Sequence, residues 1–497
     1  MDEFELKLAV PASRRAGLVR ALVKGASRAK RIKAVYFDTE DDRLASGGVA
    51  LRLRQEGRQW VQTAKAPSTD LLRRLEHNVE LATPPSGGQP TLDIARHDGT
   101  PAGKALHKAL RAGRNDVTPG ALIERFRTDF SRRARMVRIG ETSVELALDI
   151  GRITGGEREV PLSELELELK SGPVAPLFQL AAQWAEQHGL LLEVESKGQR
   201  GTRLARGETT AKPAVAEPLR FDMEQGTETF VRATVQNSLA QVIRNADSVA
   251  AGAIGEEFVH QLRIGLRRLR TALRGFGDRV GADLAWEPVL RQAFQDLGQH
   301  RDRTVVLPAI RTRLEVAGAP TLPELNPAIR LRRPDLIARA PELQKVLIGV
   351  LACCQPSSSA AVPRPGAVST RALVAPRLTA LHRKLVRDAD RFDKLDVPRQ
   401  HRVRKRLKRL RYLSEFCAPL FGNSAVKRYL SVWRAAQEAL GAYNDQRMAS
   451  MVFESEVKRE PSAWFAVGWL NARNETCAGD CRRALRAGAK HRPFWKK

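Results

Sequence analysis

The chain has 497 residues, too many for one ordinary domain and suited to two or three. Hydrophobic residues make up 42% and charged residues 28%, which excludes a wholly disordered chain. The 84 Lys and Arg residues exceed the 56 Asp and Glu residues, giving a formal net charge of +28. Because such an excess opposes compaction until an anion neutralises it, the charge predicts a polyanionic partner: nucleic acid, an anionic membrane surface or inorganic polyphosphate.

Residues 1–205 are dominated by short segments in which apolar and polar residues alternate, as is typical of strands. The alternation predicts strands over 3–10, 49–54, 60–65, 143–150 and 165–170. Longer apolar spacing predicts helices over 13–23 and 174–188. This mixture predicts an antiparallel α+β domain.

Several of these strands pair an apolar face with a charged face, because residues i, i+2 and i+4 of a strand point to one side. Carboxylates share a face on three strands, at Glu3 and Glu5, at Glu145 and Asp149, and at Glu164, Glu166 and Glu168. A sheet that turns its charged side to solvent would explain the alternation alone. Neighbouring carboxylates repel, however, unless cations lie between them.

The basic residues of these strands favour an enclosed arrangement over a solvated one. They are mostly Arg, as at Arg52 and Arg54, and the planar guanidinium group suits phosphate oxygens. A closed or nearly closed barrel with a charged interior would accommodate both the carboxylates and the arginines. Ligands that offer only oxygen favour Mg²⁺ or Mn²⁺ over zinc.

Two segments rich in Pro, Gly, Ser or Thr interrupt the chain. Residues 206–226 predict an interdomain linker, and residues 353–370 predict a connector inside the second half. The rest of 227–495 consists of long Arg- and Leu-rich amphipathic stretches with few strand signals. This half is therefore predicted to be all-α.

The helical half contains an internal repeat. Each copy has a histidine followed by three basic residues at steps of three, four and three: His260, Arg263, Arg267 and Arg270, then His401, Arg404, Lys408 and Arg411. Similar six-residue segments follow at 297–302 and 440–445, where the pattern predicts turns. Two copies of one helical unit, over about 227–352 and 371–495, are the simplest explanation.

The spacing places the basic residues of each copy on one stripe of a helix. A solvated basic face would explain a single run, but its duplication favours an anion site. Aromatic residues are only 5%, and no rings interleave with the basic residues for base stacking, so nucleic acid is disfavoured, although duplex binding through phosphates stays open. The apolar faces lack the flanking Trp and Phe of a membrane-surface helix.

The first half resembles the CYTH, or triphosphate tunnel metalloenzyme, superfamily. Glu3-x-Glu5-x-Lys7 is similar to its opening signature. Further matching segments follow in order over about 1–205: 51–54, Lys65, 74–76, 125–128, 145–149, 164–168 and 196–201. The resemblance implies an eight-stranded antiparallel tunnel that binds triphosphate together with Mg²⁺ or Mn²⁺.

The resemblance also implies roles for individual residues. Glu3, Glu5 and Lys7 would be catalytic. The metal-binding carboxylates would be Glu3, Glu5, Asp149, Glu166 and Glu168. The phosphate-binding residues would be Lys7, Arg52, Arg54, Lys65, Arg125, Arg127, Lys197 and Arg200, although five arginines between 125 and 133 leave the register there open.

Residues 227–495 resemble the CHAD domain, a helical domain named for its conserved histidines, through the duplicated His-x-x-basic-x-x-x-basic-x-x-Arg motif. The resemblance implies two four-helix repeats whose basic helices line a shared groove that binds polyphosphate. The eight residues of the two motifs would form this site. His260 and His401 would either contact the anion or pack between helices.

The expected function is therefore metal-dependent hydrolysis of inorganic triphosphate, with polyphosphate held by the helical half. One alternative is a non-catalytic protein that binds and localises to polyphosphate. Another is chemistry on an organic triphosphate: hydrolysis of thiamine triphosphate or a nucleoside triphosphate, or cyclisation of ATP. The acidic opening differs from a signal peptide, and five cysteines form no disulfide or zinc pattern, so the expected location is cytoplasmic, with association with polyphosphate granules.

Overall fold

The computed structural model of the chain describes residues 2–23, 28–68, 72–84, 88–112, 122–208, 210–219, 221, 226–253, 255–322, 324, 331–355 and 369–496, without the side chains of residues 2, 3 and 28. The chain divides into two compact units. One comprises Met1–Pro213, Ala246–Ala253 and Arg339–Ala352. The other comprises Ala214–Asn245, Ile254–Ala338 and Cys353–Lys497.

The first unit is built on a single sheet. Its strands in the described residues are β1 (Asp2–Ala9), β2 (Arg28–Asp38), β3 (Ala50–Glu56), β4 (Gln59–Pro67), β5 (Arg73–Leu81), β6 (Ile123–Ile139), β7 (Thr142–Gly155), β8 (Arg158–Ser171) and β9 (Leu191–Glu193). Their order is β5-β4-β3-β2-β6-β7-β8-β1-β9, and β1 also pairs with β5. This second pairing of β1 closes β1–β8 into an antiparallel barrel, so the predicted eight-stranded tunnel is confirmed.

Helices cover the outside of the barrel. Apart from α5 (Lys197–Ala205), whose Leu204 packs with Phe126 and Phe130 on the inward side of β6, these are α1 (Arg15–Val23), α2 (Arg43–Ser46), α3 (Pro101–Arg111) and α4 (Ala175–His188). The apolar sides of the strands face these helices: Leu51 of β3 lies in one buried cluster with Leu106 and Leu110 of α3. Burial of apolar surface on the outside therefore leaves the charged sides of the same strands facing inward.

The second half is helical, as predicted. Its helices are α6 (Gly226–Ala250), α7 (Glu256–Phe276), α8 (Trp286–Arg301), α9 (Leu307–Val316), α10 (Pro334–Ala338), α11 (Pro341–Cys353), α12 (Thr370–Ala389), α13 (Val397–Phe416), α14 (Ala418–Phe421), α15 (Asn423–Val432), α16 (Arg434–Glu456), α17 (Ala463–Ala472) and α18 (Asn474–Ala489). The basic motifs lie on α7 and α13. Both helices bury leucines on an adjoining stripe, as at Leu262 and Leu266 of α7 and Leu407 and Leu410 of α13.

The turns predicted at 297–302 and 440–445 are wrong. The first segment runs from the end of α8 into a π-helix, Asp302–Val306, and the second lies inside α16. The glycine of the first segment serves close packing instead of a turn. A β-carbon added at Gly298 would lie 3.2 Å from Nη2 of Arg263, so this glycine makes room for a motif arginine.

The predicted linker, 206–226, lies between α5 and α6, and its described residues form neither helix nor strand before Gly226. Part of it runs along α6, where the Asn245 amide exchanges hydrogen bonds with the backbone of Ala214. Most of the predicted connector, residues 356–368, lies outside the described residues. Within the described part of the chain, no helix is long and apolar enough to cross a membrane.

Candidate active site and basic helical face

Charged side chains bond to one another across the interior of the barrel. Lys65 of β4 lies 3.5 Å from Glu5 of β1, and these two strands are not neighbours in the sheet. Lys65 is also 3.0 Å from Glu76 of β5, and Lys7 is 3.1 Å from Glu5. Such contacts place these four side chains inside the barrel, on the faces that alternation predicts to be charged.

Glu5 is ionised in this setting. Its burial would raise the pKa of the carboxyl, but the charges of Lys7 and Lys65 outweigh burial and hold the pKa below its ordinary value. Glu166 acts in the opposite direction, because a second carboxylate nearby raises the pKa of Glu5. Glu5 therefore connects the Lys7–Lys65 group to the acids of β8.

Three buried carboxylates meet deeper in the barrel, on β7 and β8. One oxygen each from Asp149, Glu164 and Glu166 lies within 4.8 Å of the others. The ammonium of Lys197, the first residue of α5, contacts all three: Nζ is 2.7 Å from Asp149 and 2.8 Å from Glu166, and it also bonds Glu164. We call these three acids the carboxylate cluster.

Two arginines complete the neutralisation of the carboxylate cluster. Arg132 of β6 donates a pair of hydrogen bonds to Asp149, at 2.8 and 2.7 Å, and also bonds Glu166. Arg200 of α5 bonds Glu164. The three acids of the carboxylate cluster therefore bond three cations: Lys197, Arg132 and Arg200.

The charges of the cluster stabilise one another. Burial would raise the pKa of Glu166, but Lys197 and Arg132 hold it well below its ordinary value. Burial would likewise lower the pKa of Lys197, and Asp149 and Glu166 raise it. Glu166 and Lys197 are therefore charged near neutral pH, and removal of either would leave its partners buried and less well compensated.

The local sequence of α5 explains how Lys197 and Arg200 are positioned at the carboxylate cluster. Ser196 caps the helix, and its side chain and that of Gln199 form a reciprocal capping box that fixes the first turn. Gly201 lets the helix approach β6, because a β-carbon at this position would overlap the ring of Phe126. The Lys197 ammonium also lies 5.2 Å from the centroid of the Phe130 ring.

The arginines of β3 lie beside this region. Arg52 donates a hydrogen bond of 3.0 Å to the hydroxyl of Tyr36, whose ring stacks on Phe126 with centroids 4.3 Å apart. Arg54 forms an ion pair of 2.9 Å with Glu56. Burial and the neighbouring Arg52 lower the pKa of Arg54, as expected for a cation whose site lacks full compensation.

The structure brings most of the sequence-predicted site residues together. The residues found in the barrel interior are Glu5, Lys7, Arg52, Arg54, Lys65, Asp149, Glu166, Lys197 and Arg200. Glu168 lies opposite Glu5 in register and pairs with Lys170 at 2.7 Å, in a more exposed part of the sheet. The side chain of Glu3 lies outside the described residues.

Two predicted phosphate-binding residues do not join this group. Arg125 pairs with Asp42 at 3.0 Å, and Arg127 pairs with Glu124 and is 61% exposed. The exposed Arg127 thus lies away from the barrel interior, and Arg132 occupies an inward position on the same strand. Glu164, which shares the face of Glu166, also belongs to the site although it was not selected as a ligand.

The carboxylate cluster fits a hard divalent cation by its chemistry, because it offers three oxygen ligands close together. Mg²⁺ or Mn²⁺ would find the same donors that now bond Lys197. Glu5 is within electrostatic reach of Glu166 and could extend the donor set. The residues present are therefore compatible with metal binding, provided that the ammonium moves.

In the second unit, the basic stripes of α7 and α13 lie close together. Burial lowers the pKa of Lys408, and the positive charges of Arg267 on α7 and of Arg404 lower it further, to about 6. Burial and neighbouring arginines lower the pKa of Arg263 to about 10. The Nε groups of Arg263 and Arg404 are buried without a hydrogen-bond partner among the described residues.

Two other arginines of the motifs form ion pairs with glutamates. Arg270 forms an ion pair of 2.6 Å with Glu287, and Arg411 one of 2.7 Å with Glu415. Burial lowers the pKa of both His260 and His401.

Burial and neighbouring arginines lower the pKa of Arg404. Two aspartates from matching positions of the repeat, Asp302 and Asp445, act in the other direction and raise it.

Sequence models of two domain families match this chain. The CYTH domain matches residues 1–202, and the CHAD domain matches residues 233–454. The chain therefore contains a CYTH domain followed by a CHAD domain.

Individual relatives cover parts of the chain. An inorganic triphosphatase from Haemophilus influenzae is 30% identical over 207 residues, which are 40% of this chain and 54% of that protein. The chain thus spans about half the length of this curated relative. The crystal structure of the CHAD domain from the plant Ricinus communis has 26% identity and a TM-score of 0.47, covering 57% of this chain and 98% of that one. The structure of a protein from Pyrococcus horikoshii has 17% identity and a TM-score of 0.26, and the match covers 41% of this chain and 99% of that one.

Proposed function

We propose that the barrel is a metal-dependent hydrolase of inorganic triphosphate and that the helical region binds polyphosphate. The observation that carries the first part is the interior of the closed barrel, where acids and bases from several strands bond across the lumen. The family membership and the named activity of the Haemophilus influenzae relative support the same reaction. The proposed location is the cytoplasm, where the protein would gather on polyphosphate granules.

The acids of the interior would hold Mg²⁺ or Mn²⁺. From the structure these are Glu5, Asp149, Glu164 and Glu166, to which the sequence adds Glu3 and Glu168. A bound divalent ion would supply charge neutralisation of phosphoryl oxygens and a water of lowered pKa. This requirement for hard cations follows from a donor set made only of carboxylate oxygens.

The basic residues would hold and orient the phosphate chain. Lys7 and Lys65 flank Glu5, and Arg52, Arg54 and Arg132 surround the adjoining part of the lumen. Such donors stabilise the charge that spreads over the phosphoryl oxygens as the P–O bond breaks. Arg132 replaces Arg125 and Arg127 in this role.

The decisive experiment measures phosphate release by the full chain from tripolyphosphate, ATP, thiamine triphosphate and long-chain polyphosphate, each with Mg²⁺ or Mn²⁺. Tripolyphosphate should be the best substrate, and chelation of the metal should abolish release. Preference for an organic triphosphate would favour the alternative substrate class. No release from any compound would favour the alternative of a binding protein without catalysis.

Glu5→Gln tests the assignment of the site. The substitution removes one ionised, buried carboxylate while keeping its shape, and it should lower kcat for tripolyphosphate by about a hundredfold or more. Glu159→Gln, at a half-exposed glutamate of β8, is the matched control and should retain activity. Equal activity of the two variants would remove Glu5 from the catalytic group.

Polyphosphate binding is proposed for the facing stripes of α7 and α13. Arg263, Arg267, Arg404 and Lys408 lie near one another, and burial together with the neighbouring positive charges lowers the pKa of Lys408. Buried guanidinium Nε groups without partners are the donors that phosphate oxygens would satisfy. The same-sign charge and the unmet hydrogen bonds both favour a bound polyanion.

A further inference from the structure

The position of Lys197 raises a question about how metal enters the carboxylate cluster. Its Nζ atom is 2.7 Å from Asp149 and 2.8 Å from Glu166, and it also bonds Glu164. These are the three carboxylates that converge within 4.8 Å. The ammonium nitrogen thus stands at the point that all three carboxylates reach.

A divalent ion bound by the same three acids would need that point for itself. Mg²⁺ and Mn²⁺ bond oxygen at about 2.1 Å, closer than the ammonium contacts to Asp149 and Glu166. The three carboxylates are also already paired with three cations, Lys197, Arg132 and Arg200, and Lys7 lies 3.9 Å from Glu166. Adding two positive charges without losing one would leave a buried excess of cation, which a low-dielectric interior disfavours.

We propose that Lys197 and the divalent cation compete for the carboxylate cluster, so that metal binding displaces the Lys197 ammonium. The inference rests on the proposed function only in taking this cluster as the metal site. Displacement is sterically simple, since a lysine side chain has four rotatable bonds and a single charge at its tip. Arg132 is less suited to leave, because its planar group is held by two hydrogen bonds to Asp149.

The displaced ammonium needs a new anionic partner inside the barrel, and a phosphate chain would supply one. Metal and triphosphate would then bind more tightly together than separately, because each relieves the charge imbalance that the other creates. Lys197 would act as a positioning residue that links the two binding events. Its place at the first residue of α5, fixed by the Ser196 capping box, keeps the stem of the side chain beside the lumen.

The first test measures binding of Mn²⁺ to the full chain, without any phosphate compound, by electron paramagnetic resonance of the free ion. Lys197→Met removes the competing charge and should tighten Mn²⁺ binding by roughly tenfold or more. Lys30→Met is the control, because Lys30 pairs with Glu56 and its side chain is 49% exposed. Its affinity should stay within about twofold of the parent. Equal tightening in both variants, or none in Lys197→Met, would overturn the proposal.

A second test uses the unaltered protein and so does not depend on the folding of a variant. Lys197 is 7% exposed and should resist an amine-acylating reagent, whereas exposed Lys427 reacts freely. Saturating Mn²⁺ should raise acylation of Lys197, read by peptide mass spectrometry, about threefold or more relative to Lys427. Unchanged labelling with Mn²⁺ bound would show that the ammonium stays in place. Neither test uses turnover, so competitive Mn²⁺ binding without phosphate release would count against the proposed function alone.

Discussion

Charged residues of the barrel interior bond to one another in groups, and removal of one member lowers the stability of the protein. Arg132 illustrates this, since it bonds both Asp149 and Glu166, and these acids raise its pKa against the effect of burial and so hold it in its charged form. A surface ion pair on the same strand, Arg127 with Glu124, is worth little because water screens it. The two arginines therefore differ in what they do for the protein, although the sequence presents them as equivalents.

Arg132→Gln should lower the stability of the first unit by about 3–5 kcal/mol, because it removes one of the two cations that bond both buried carboxylates, Asp149 and Glu166. Denaturant unfolding followed by circular dichroism would measure the change. Arg127→Gln is the control and should change stability by less than about 1 kcal/mol. Comparable losses in the two variants would contradict the inward placement of Arg132.

Among the elements, the short helix α5 contributes directly to the site. It contributes Lys197 and Arg200 to the carboxylate cluster and packs against β6, β7 and β8. Its approach depends on glycine at one position, where the Phe126 ring leaves no room for a side chain. The helix is thus fitted to the barrel by shape as well as by charge.

Gly201→Ala should destabilise the protein by about 1–3 kcal/mol and lower phosphate release, because α5 must shift away from Phe126. Gly198→Ala is a matched control in the same helix: its added β-carbon would lie 3.6 Å from that of Ala50, an ordinary contact. That variant should be neutral or slightly stabilised, since Ala favours helix over Gly. Thermal unfolding and phosphate release would be measured for both. Equal behaviour of the two would contradict the close approach of α5.

At the scale of the whole molecule, the excess of positive charge is explained in part by the second unit. Cations of α7 and α13 lie close together, and burial and these neighbouring charges lower the pKa of Lys408 to about 6. Near neutral pH this lysine is largely uncharged in the absence of an anion. A polyanion would raise its pKa again, so binding would take up a proton.

Affinity of the full chain for long-chain polyphosphate should therefore rise as pH falls from about 8 to about 6, because protons favour the bound state. Titration at constant ionic strength would measure it. Lys408→Gln should lose most of the rise, leaving the smaller part from His260 and His401, whose pKa values are also lowered by burial. Lys427→Gln, at an exposed position of α15, should keep the full rise. A parallel pH profile for Lys408→Gln and the parent would contradict the role of Lys408.

Much of the fold could be predicted from local patterns. Alternation in β1, β7 and β8 separates apolar from charged side chains, and the barrel buries the apolar sides under helices. On β6 the same rule misleads, because Phe126 and Phe130 of its inward face are apolar and pack with Leu204 of α5. The choice among its arginines therefore needed the register with β7, which sets Arg132 opposite Asp149.

The sequence by itself determined the two halves, their strand and helix content, the charged faces and the duplicated basic motif, because these depend on neighbours in the chain and on the periods of strand and helix. Only the tertiary structure decided which carboxylates meet, that Lys197 stands among them and that α7 and α13 bring their cations together. Those contacts join residues far apart in sequence. Their geometry follows from closure of the barrel and packing of helices, which no local period specifies.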